Sequence, residues 1–370
     1  MLIGFDASRA NKTKRSGVEW YSYHLLKQIY KLDDKNGYFL YTPNKLSDDL
    51  KPLPQNFQER ILIWPFKKFW TQGRLSLELL KKKPDILFVP AHIFPLVLGR
   101  KNIITWPDVG HQHFPDCYSK SQLKIIEYGL KRAIKVADRI ITISEFSKQE
   151  LVNYYQIAPS KIVVTYLGYD ERVFYPRSPE EISQVKAQYH LKNPYLLYVG
   201  RLAKRKNLVN LIEAYEHVRQ IYHQEIDLAL VGSQDFGYQS ILDKIKQTSY
   251  QQSIKLLGYV RGNDLPSLMS GAACLVHPSL FEGFGLTILE ALACGCPVIA
   301  STSGALPEIV DEAGLLVDAH DIKGFANKMV EVVSNQKLRQ DLINKGLAYS
   351  QKFSWEKCAK ETLKVFESMK

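Results

Sequence analysis

Two carboxylates and two glycines lie close together in the segment 281–290, and their spacing suits the binding of a polar ligand. Glu282 is followed by Gly283 and Gly285, and glycines let backbone amides approach a ligand closely. Glu290 lies about one helical turn inside the helix that should follow, so it can point toward the same place. A carboxylate among apolar residues needs hydrogen-bond donors, and sugar hydroxyls can supply them. The alternatives are a helix-surface charge for Glu290 and an acid that only complements the helix dipole for Glu282.

Four cations occur in the segment 201–206, directly after Gly200. The glycine permits a sharp turn, and a helix is predicted to begin near Asn207. A helix start offers free amides and positive potential, and Lys and Arg add charge-assisted hydrogen bonds to diphosphate oxygens. The segment is not a P-loop, because the glycine-lysine-hydroxyl ending is missing. It indicates a phosphate site, with a solvated basic loop as the alternative.

Both segments need a strand before them and a helix after them. The strands Tyr195–Val199 and Cys274–His277 are predicted directly before them, and a helix is predicted from Leu286. Strands separated by helices favour a parallel sheet, and open α/β sheets bind ligands at the carboxyl edge. A third segment, Ser303–Glu308, follows the predicted strand Val298–Ala300 at the same edge, but on its own it is better explained as a connecting turn.

The alternation of strands and helices runs twice along the chain, with a charged, proline-bearing connection at about 170–194. The strands predicted in the first run are Leu2–Phe5, Tyr38–Tyr41, Ile61–Trp64, Ile86–Val89, Ile103–Trp106, Ile140–Ile143 and Ile162–Thr165. Those predicted in the second run are Tyr195–Val199, Asp227–Val231, Ser253–Leu256, Cys274–His277, Val298–Ala300 and Leu315–Val317. The last segment, Phe353–Lys370, is expected to be a separate helix with Ser354 as its N-cap.

The composition excludes several classes of protein. Of the 370 residues, 45% are apolar and 24% are charged, which are ordinary globular values and exclude disordered, collagen-like and disulfide-scaffold chains. Five scattered cysteines favour reduced thiols in a cytosolic protein. No secretion signal is recognised at the N-terminus, and the longest uncharged stretch, Leu265 to Phe281, is too short and too polar to span a membrane.

The positive charge is concentrated in the first half. Residues 1–180 carry 28 Lys and Arg against 18 Asp and Glu, whereas residues 181–370 carry 21 against 20. Such a field favours an anionic partner, which could be nucleic acid, an anionic lipid surface or a phosphorylated substrate, and a merely solvated surface is the alternative. Aromatic residues in the segment 64–70 stand beside lysines, which suits a peripheral membrane patch, with a core edge and a solvated lysine run as the alternative.

These segments together resemble glycosyltransferase family 4, the group 1 retaining glycosyltransferases of the GT-B fold. The matching segments are G-R-L-A-K-R-K-N at 200–207, L-L-G-Y-V at 256–260, E-G-F-G-L-T-I-L-E at 282–290, G-C-P-V-I-A at 295–300 and F-S-W-E at 353–356. The first half matches more loosely. The resemblance implies two Rossmann-like α/β domains facing across a cleft. Residues 1–176 would bind the acceptor, 177–353 would bind the donor, and the helix 354–370 would cross back to the first domain.

The resemblance also implies a role for each matching residue. Arg201 and Lys206 would hold the diphosphate of a nucleotide sugar, and Glu282 would contact the transferred sugar near the reacting carbon. Glu290 would bind the ribose hydroxyls, and Val260 would meet the base through its backbone. The remaining donor contacts would come from Gly200, Phe284, Gly285, Leu286 and Thr287 and, in the first domain, from Gly17.

One position departs from the family. A His-Asp pair is frequent after the strand that corresponds to Ile103–Trp106, whereas this chain has Pro107 and Asp108. Proline has no side-chain hydrogen-bond group, so Pro107 lacks the group that makes the usual contact to the donor sugar. His111 or His113 could substitute for the missing histidine, and ordinary loop histidines are the alternative.

The implied reaction moves a mannose- or glucose-like sugar, with retention, from a UDP- or GDP-linked donor to a glycan or lipid-linked acceptor in cell-surface polysaccharide synthesis. Cations at the phosphate and a carboxylate near the ring suit the charges that develop. No cofactor and no metal are expected, because an Asp-x-Asp motif is missing. The enzyme should be cytoplasmic, and a peripheral position on the inner membrane face is a further hypothesis.

Three alternatives remain open from the sequence. A GT-B-type sugar-phosphate epimerase is one, and a phosphorylase is another, although no motif suggests the pyridoxal lysine that a phosphorylase usually needs. The third is a non-catalytic basic protein that binds a membrane or nucleic acid. Acids in the predicted crevice would repel a polyanion, so no nucleic-acid partner is expected.

Overall fold

The structure is a computed structural model that describes residues 1–66, 68–91, 93–260 and 262–370. These residues form two compact units: the first comprises Met1–Val109, Ser119–Gly168 and Ser354–Lys370, and the second comprises Gly110–Tyr118 and Tyr169–Phe353. The chain leaves the first unit at Gly168, earlier than the expected boundary at 176–177, because Phe174 already packs on the core of the second unit. The segment 110–118 was expected in the first domain and belongs to the second unit.

Each unit contains one sheet whose neighbouring strands are all parallel. Among the described residues, the first sheet has the order β3-β2-β1-β4-β5-β6-β7 and consists of β1 (Leu2–Asp6), β2 (Gly37–Thr42), β3 (Phe57–Ile61), β4 (Ile86–Val89), β5 (Lys101–Thr105), β6 (Arg139–Thr142) and β7 (Ile162–Val164). The second has the order β10-β9-β8-β11-β12-β13 and consists of β8 (Tyr195–Val199), β9 (Asp227–Val231), β10 (Ile254–Gly258), β11 (Cys274–His277), β12 (Val298–Ser301) and β13 (Leu315–Val317).

Helices cover the sheets, as buried parallel strands require. In chain order they are α1 (Gly17–Leu32), α2 (Ser76–Lys81), α3 (Gly110–His113), α4 (Lys120–Val136), α5 (Glu145–Tyr155), α6 (Pro179–Gln188), α7 (Leu208–Ile221), α8 (Tyr238–Gln247), α9 (Asp264–Gly271), α10 (Leu286–Ala293), α11 (Leu306–Val310), α12 (Ile322–Ser334), α13 (Gln336–Ser350) and α14 (Trp355–Glu367). A π-helical turn at Thr71–Leu75 precedes α2, and short 3₁₀ turns lie at Asp48–Leu50, Pro115–Cys117, Pro159–Lys161, Lys204–Lys206, Gln251–Ser253 and Asp311–Ala313.

The buried strands agree closely with the sequence, whereas one edge strand does not. The predictions for Ile86–Val89, Tyr195–Val199 and Cys274–His277 are confirmed residue for residue. The prediction of a strand at Ile61–Trp64 is wrong, because the strand is β3, at Phe57–Ile61. Among the described residues β3 pairs only with β2, at the edge of the sheet. Gln58, Glu59 and Arg60 lie within it, so its apolar signal is weak.

The C-terminal helix α14 packs on the first sheet, within the first unit. The Phe366 ring meets the Phe88 ring edge to face at a centroid distance of 5.2 Å, and Cys358 is fully buried beside Thr165. The chain crosses itself closely where this helix begins. A Cβ added to Gly168 would lie 2.1 Å from the amide nitrogen of Trp355, so this crossing requires glycine.

Candidate active site

Three neighbouring strands of the second sheet end at one edge and bring the predicted site residues there. β8, β11 and β12 lie side by side, with Leu197 opposite Leu275 between the first two. β8 leads through Gly200 into the segment 201–206, which we call the basic run. β11 leads into the loop of Glu282, and β12 leads into the turn of Gly304. The chain order reverses between β8 and β11, which is where open α/β sheets place their ligand sites.

The three loops contact one another around the backbone of Glu282. The carbonyl of Arg205 accepts a hydrogen bond from the Leu280 amide at 2.9 Å, and the Ala305 amide donates to the carbonyl of Glu282 at 2.9 Å. Gly304, with φ +66°, is so close that an added Cβ would lie 2.3 Å from the same carbonyl oxygen. The segment 303–308, which the sequence favoured as a plain connecting turn, therefore supports Glu282 directly.

The Glu282 side chain lies among two cations and a histidine. Its Oε1 contacts Nζ of Lys206 and lies 3.0 Å from Nε2 of His277. Its Oε2 lies 3.8 Å from Nη1 of Arg205. Ser279 Oγ lies 3.2 Å from the same histidine nitrogen. Because the Glu282 side chain is only 11% exposed, these contacts are made largely out of water and are weakly screened.

These contacts determine the charge of the cluster. Burial opposes ionisation of Glu282, but Lys206, Arg205 and the hydrogen bond from His277 outweigh it and hold the pKa of this carboxyl well below its usual range. Burial lowers the pKa of His277, against the opposing effect of Glu282. At neutral pH His277 is therefore neutral, and two cations face one carboxylate. The cluster keeps a net positive charge, which suits an anionic ligand.

Arg201 and Lys206, which the resemblance assigns to the diphosphate, contact different acids. Arg201 is largely exposed, and its Nη1 lies 2.9 Å from Oδ2 of Asp235. Lys206 is the cation at Glu282, with Arg205 beside it. Asn207, in the left-handed conformation, fixes the end of the run by donating from Nδ2 to two carbonyls at 3.1 Å and 2.7 Å.

The start of α10 offers backbone donors next to this cluster. Gly285, with φ +110°, precedes the helix, and its carbonyl accepts from Ile288 at 2.9 Å. Leu286 and Thr287 come before the intrahelical ladder, and their amides donate no hydrogen bond within the described residues. The Phe284 side chain is buried, so this residue can offer a ligand only its backbone. These amides are available to an anion or to sugar hydroxyls.

Glu290 lies inside α10 and is partly buried. No described residue forms a hydrogen bond or ion pair with its carboxylate, and burial raises its pKa to about 8. A buried carboxyl group without a partner is stabilised when a bound ligand supplies hydrogen-bond donors to it. The helix-surface alternative is weaker in view of this burial, because an exposed glutamate would keep an ordinary pKa.

Gly200 and Val260, which are also predicted to contact the nucleotide sugar, lie on the loops after β8 and β10. The carbonyl oxygen of Gly200 would lie 1.7 Å from a Cβ added to Gly232, so the loops after β8 and β9 touch there. Val260, after β10, is 6% exposed and packs into the core of the second unit. Its side chain is therefore structural, and only its backbone can serve a ligand.

The candidates from the first half are divided between the units. Gly17 begins α1 in the first unit and is exposed, with nothing within 4 Å of an added Cβ. Asp108, also in the first unit, accepts from Nε1 of Trp106 through its carbonyl at 3.0 Å. His111 is buried in the second unit. His113, also there, stacks its ring on the Phe281 ring at a centroid distance of 4.9 Å, so it lies beside the residue that precedes Glu282 in the sequence.

Sequence reasoning missed the roles of Arg205 and His277. Arg205 stood in the quoted basic run, but the sequence does not show which way each side chain leaves a short 3₁₀ turn. His277 had a usable signal, since it is a polar residue at the carboxyl end of an otherwise apolar, fully buried strand. Such a residue is buried and needs a partner, which here is Glu282.

The described residues contain neither a metal-binding cluster nor a membrane-spanning helix. Within the described ranges, no group of three or more His, Cys, Asp and Glu side chains is placed to hold a metal ion. In that same part of the chain, helices long and apolar enough to cross a bilayer are not found.

Two family profiles match the chain. The one described as glycosyl transferases group 1 matches residues 180–349, and the one described as glycosyltransferase family 4 matches residues 15–173. Together they cover both units, and the chain belongs to the group 1 glycosyltransferases of family 4. The resemblance inferred from the motifs is thus confirmed.

Individual relatives agree with this assignment. The chain is 29% identical to O-antigen chain mannosyltransferase B of Escherichia coli over 341 residues, which are 92% of this chain and 87% of that protein. Its fold is similar to sucrose-phosphate synthase of Thermosynechococcus elongatus, with a TM-score of 0.77 and 20% identity over 100% of this chain and 98% of that one. It is also similar to Anabaena HepE in complex with UDP-glucose, with a TM-score of 0.75 and 19% identity over 99% of each chain. These likenesses establish the two-domain α/β architecture of the GT-B fold.

Proposed function

We propose that this glycosyltransferase moves a mannose- or glucose-like sugar, with retention, from a nucleoside-diphosphate donor to a glycan or lipid-linked acceptor. The product would belong to a cell-surface polysaccharide. The observation that carries the proposal is the cluster of Lys206, Arg205 and Glu282 at the switch point of the second sheet. Two cations and an ionised carboxylate, next to the Leu286 and Thr287 amides that donate to none of the described residues, match a ligand that combines a diphosphate with a sugar.

The donor would be held at several points of the second unit. Lys206 and Arg205, together with the amides of Leu286 and Thr287, would bind the diphosphate. Glu290 would accept hydrogen bonds from the ribose hydroxyls, which are the donors that its carboxylate does not find among the described residues. The backbone of Val260 would meet the base. Arg201, exposed and paired with Asp235, would add positive charge nearby.

The reaction would break the bond between the anomeric carbon and the diphosphate oxygen, whose electron pair leaves with the diphosphate. The acceptor hydroxyl forms the new bond on the same face, and its proton passes to the departing phosphate. Lys206 and Arg205 stabilise the negative charge that develops on the leaving group. Glu282, ionised because of its neighbours, stabilises the positive charge on the sugar ring. The two cations supply this stabilisation without a metal ion.

Proteins similar to this chain suggest which sugars to test first. Besides mannosyltransferase B, the serotype-specific mannosyltransferase WbdA of Escherichia coli is 28% identical over 233 residues, although these are only 29% of that longer protein. The structure of HepE contains UDP-glucose. Mannose is therefore the first sugar to test and glucose the second, with UDP and GDP as the two carriers. The five cysteines are free, which fits a cytoplasmic site of action.

A donor panel tests the proposal. Release of free nucleotide is measured from UDP-glucose, GDP-mannose and related donors, with and without short glycan acceptors and with EDTA present. The expected result is release from one donor that rises when an acceptor is added and persists in EDTA, with an α-linked product from an α-linked donor. Release that occurs only with inorganic phosphate would indicate a phosphorylase. Interconversion of the sugar without transfer would indicate an epimerase.

A further inference from the structure

The first unit exposes large apolar side chains on one face. Leu77 and Leu80 on α2 are 51% and 65% exposed, and Leu96, in the loop before β5, is 56% exposed. Ile125 and Tyr128 on α4 are 55% and 58% exposed. The spacing of three residues within each helix places both side chains of that helix on one outer face. We refer to these five residues as the apolar patch.

Hydrogen bonds show that the apolar patch is continuous. Ser76, at the start of α2, accepts from the Leu96 amide at 2.8 Å through its Oγ. Arg132, on α4, donates from Nη2 to the carbonyls of Pro95 and Leu96, each at 2.9 Å. The loop at 95–97 is thus bonded to both helices and lies between them.

The inner faces of both helices confirm that they lie on the same side of the sheet. Leu75 and Leu79 from the α2 region belong to the same core cluster as Leu130 and Ala133 from α4. Each helix buries one face against this cluster and turns the other toward solvent. The exposed leucines of α2 and the exposed residues of α4 therefore share one surface.

The apolar surface extends into the segment before α2. Ile63, Phe66 and Phe69 are 77%, 66% and 70% exposed. Trp64 holds this segment against the turn that leads into α2, because a Cβ added to Gly73 would lie 2.6 Å from the Trp64 ring. This close packing places the exposed aromatic residues beside the start of α2.

The two segments that carry most of these exposed side chains are strongly basic in sequence. The segments 61–83 and 120–136 contain eleven Lys and Arg residues, and their only acids are Glu78 and Glu127. Both acids are already paired, Glu78 with Arg74 at 3.2 Å and Glu127 with Lys131 at 3.7 Å. The excess positive charge therefore remains available to an anionic partner.

We propose that this face is the docking surface for an anionic phospholipid bilayer. The inference is independent of the proposed transfer reaction, since it rests on the first unit alone. Exposed Leu, Ile and aromatic side chains can enter the interface between headgroups and acyl chains, while the surrounding lysines contact anionic headgroups. A nucleic acid would use the cations but leave the apolar patch in water. A second copy of this chain would present the same positive charge and be repelled.

Vesicle cosedimentation of the full chain tests the proposal. Vesicles of equal parts phosphatidylcholine and phosphatidylglycerol are compared with vesicles of phosphatidylcholine alone. Binding is expected only to the anionic vesicles and should weaken as salt is added. The double variant Leu80→Ser with Tyr128→Ser should bind on the order of tenfold more weakly, because two exposed apolar side chains are lost. The double variant Lys81→Glu with Lys124→Glu should weaken binding by on the order of twentyfold or more, from about fivefold per lysine.

Matched controls come from the second unit. Ile221, which is 50% exposed, is changed to Ser, and the exposed Lys337 is changed to Glu, and both changes should leave vesicle binding unaltered. Circular dichroism checks that every variant is folded. Equal binding to both kinds of vesicle, or unchanged binding by the two patch variants, would overturn the proposal. Self-association that the patch variants abolish, without vesicle binding, would overturn it in favour of a second copy.

Discussion

The Nε2 atom of His277 lies 3.0 Å from Oε1 of Glu282, and the Nδ1 atom of the same ring is buried without a hydrogen-bond partner in the described part of the chain. A neutral ring protonated on Nε2 accounts for both facts, because it donates to the carboxylate and keeps no proton on the buried Nδ1. His277 is thus a fixed donor behind Glu282. It positions the carboxylate and favours its ionised form.

Replacing His277 with Phe should therefore change how activity depends on pH. Without the donor, the pKa of Glu282 rises, and the acid limb of the rate profile moves to higher pH. The value of kcat at neutral pH should fall by about tenfold, consistent with the loss of one hydrogen bond to a charged group, while KM for the donor changes little. The measurement is a pH profile of kcat beside that of His320→Phe, an exposed control. An acid limb that stays in place would show that His277 does not act through Glu282.

The cations next to Glu282 should contribute more to nucleotide binding than their neighbours in the same run. Lys206→Ala should weaken binding of the nucleoside diphosphate by about tenfold to a hundredfold, since it removes a charge-assisted contact. Lys204→Ala should have little effect, because Lys204 is exposed. Likewise Arg205→Ala should cost more affinity than Arg201→Ala. Calorimetric titration of the four variants with UDP and GDP gives the ranking, and a larger loss from Lys204 or Arg201 would contradict it.

The titration of Glu290 should make the free energy of unfolding of the wild-type protein fall as the pH rises. In the folded protein the pKa of Glu290 is about 8, above the ordinary value of 4.5. Its contribution to the free energy of unfolding is therefore fully present below about pH 4.5 and is progressively lost as the pH rises through 8. Glu290→Gln lacks this titration. Its free energy of unfolding relative to wild type should rise by about 2 kcal/mol between acid and alkaline pH, after allowance for partial exposure. Urea unfolding at several pH values measures this difference, and parallel pH curves for the two proteins would refute the prediction.

Gly304 should be required for the position of Glu282. A Cβ at residue 304 would lie 2.3 Å from the carbonyl oxygen of Glu282, so Gly304→Ala must displace the loop. Gly262 is a matched control, with a similar φ of +59° and nothing within 4 Å of an added Cβ. Both variants carry the backbone strain of about 1 kcal/mol, but only Gly304→Ala should also lose transfer activity, by roughly a hundredfold. Equal activity of the two folded variants would show that the loop tolerates the shift.

Much of the second unit could be predicted from the sequence, because its strands are buried on both faces. Strands such as Tyr195–Val199 are continuous apolar runs bounded by turns, and their ends indicated the edge where the site lies. In the first unit, β3 was harder to predict, because Gln58, Glu59 and Arg60 interrupt its apolar pattern. That strand is at the sheet edge, and the apolar run Ile61–Trp64 after it gave a misleading signal.

Within the candidate site, residue types were predictable and pairings were not. The sequence indicated that cations and acids would meet at one sheet edge. It did not indicate that Lys206 and Arg205 face Glu282 while Arg201 turns to Asp235, because this depends on the geometry of a single 3₁₀ turn. The support of Glu282 by Gly304 depends on the register between β11 and β12, which a single sequence does not specify.

The most direct test of the account is a comparison of Glu282→Gln with Glu312→Gln, a change at an exposed acid of the same unit. Nucleotide release is measured with the preferred donor and acceptor, and nucleotide binding is measured in parallel. We expect Glu282→Gln to lower turnover by about a hundredfold or more while its affinity for the nucleoside diphosphate stays close to that of wild type. Glu312→Gln should behave as wild type. Turnover by Glu282→Gln equal to that of the control would contradict the assignment of this cluster as the active site.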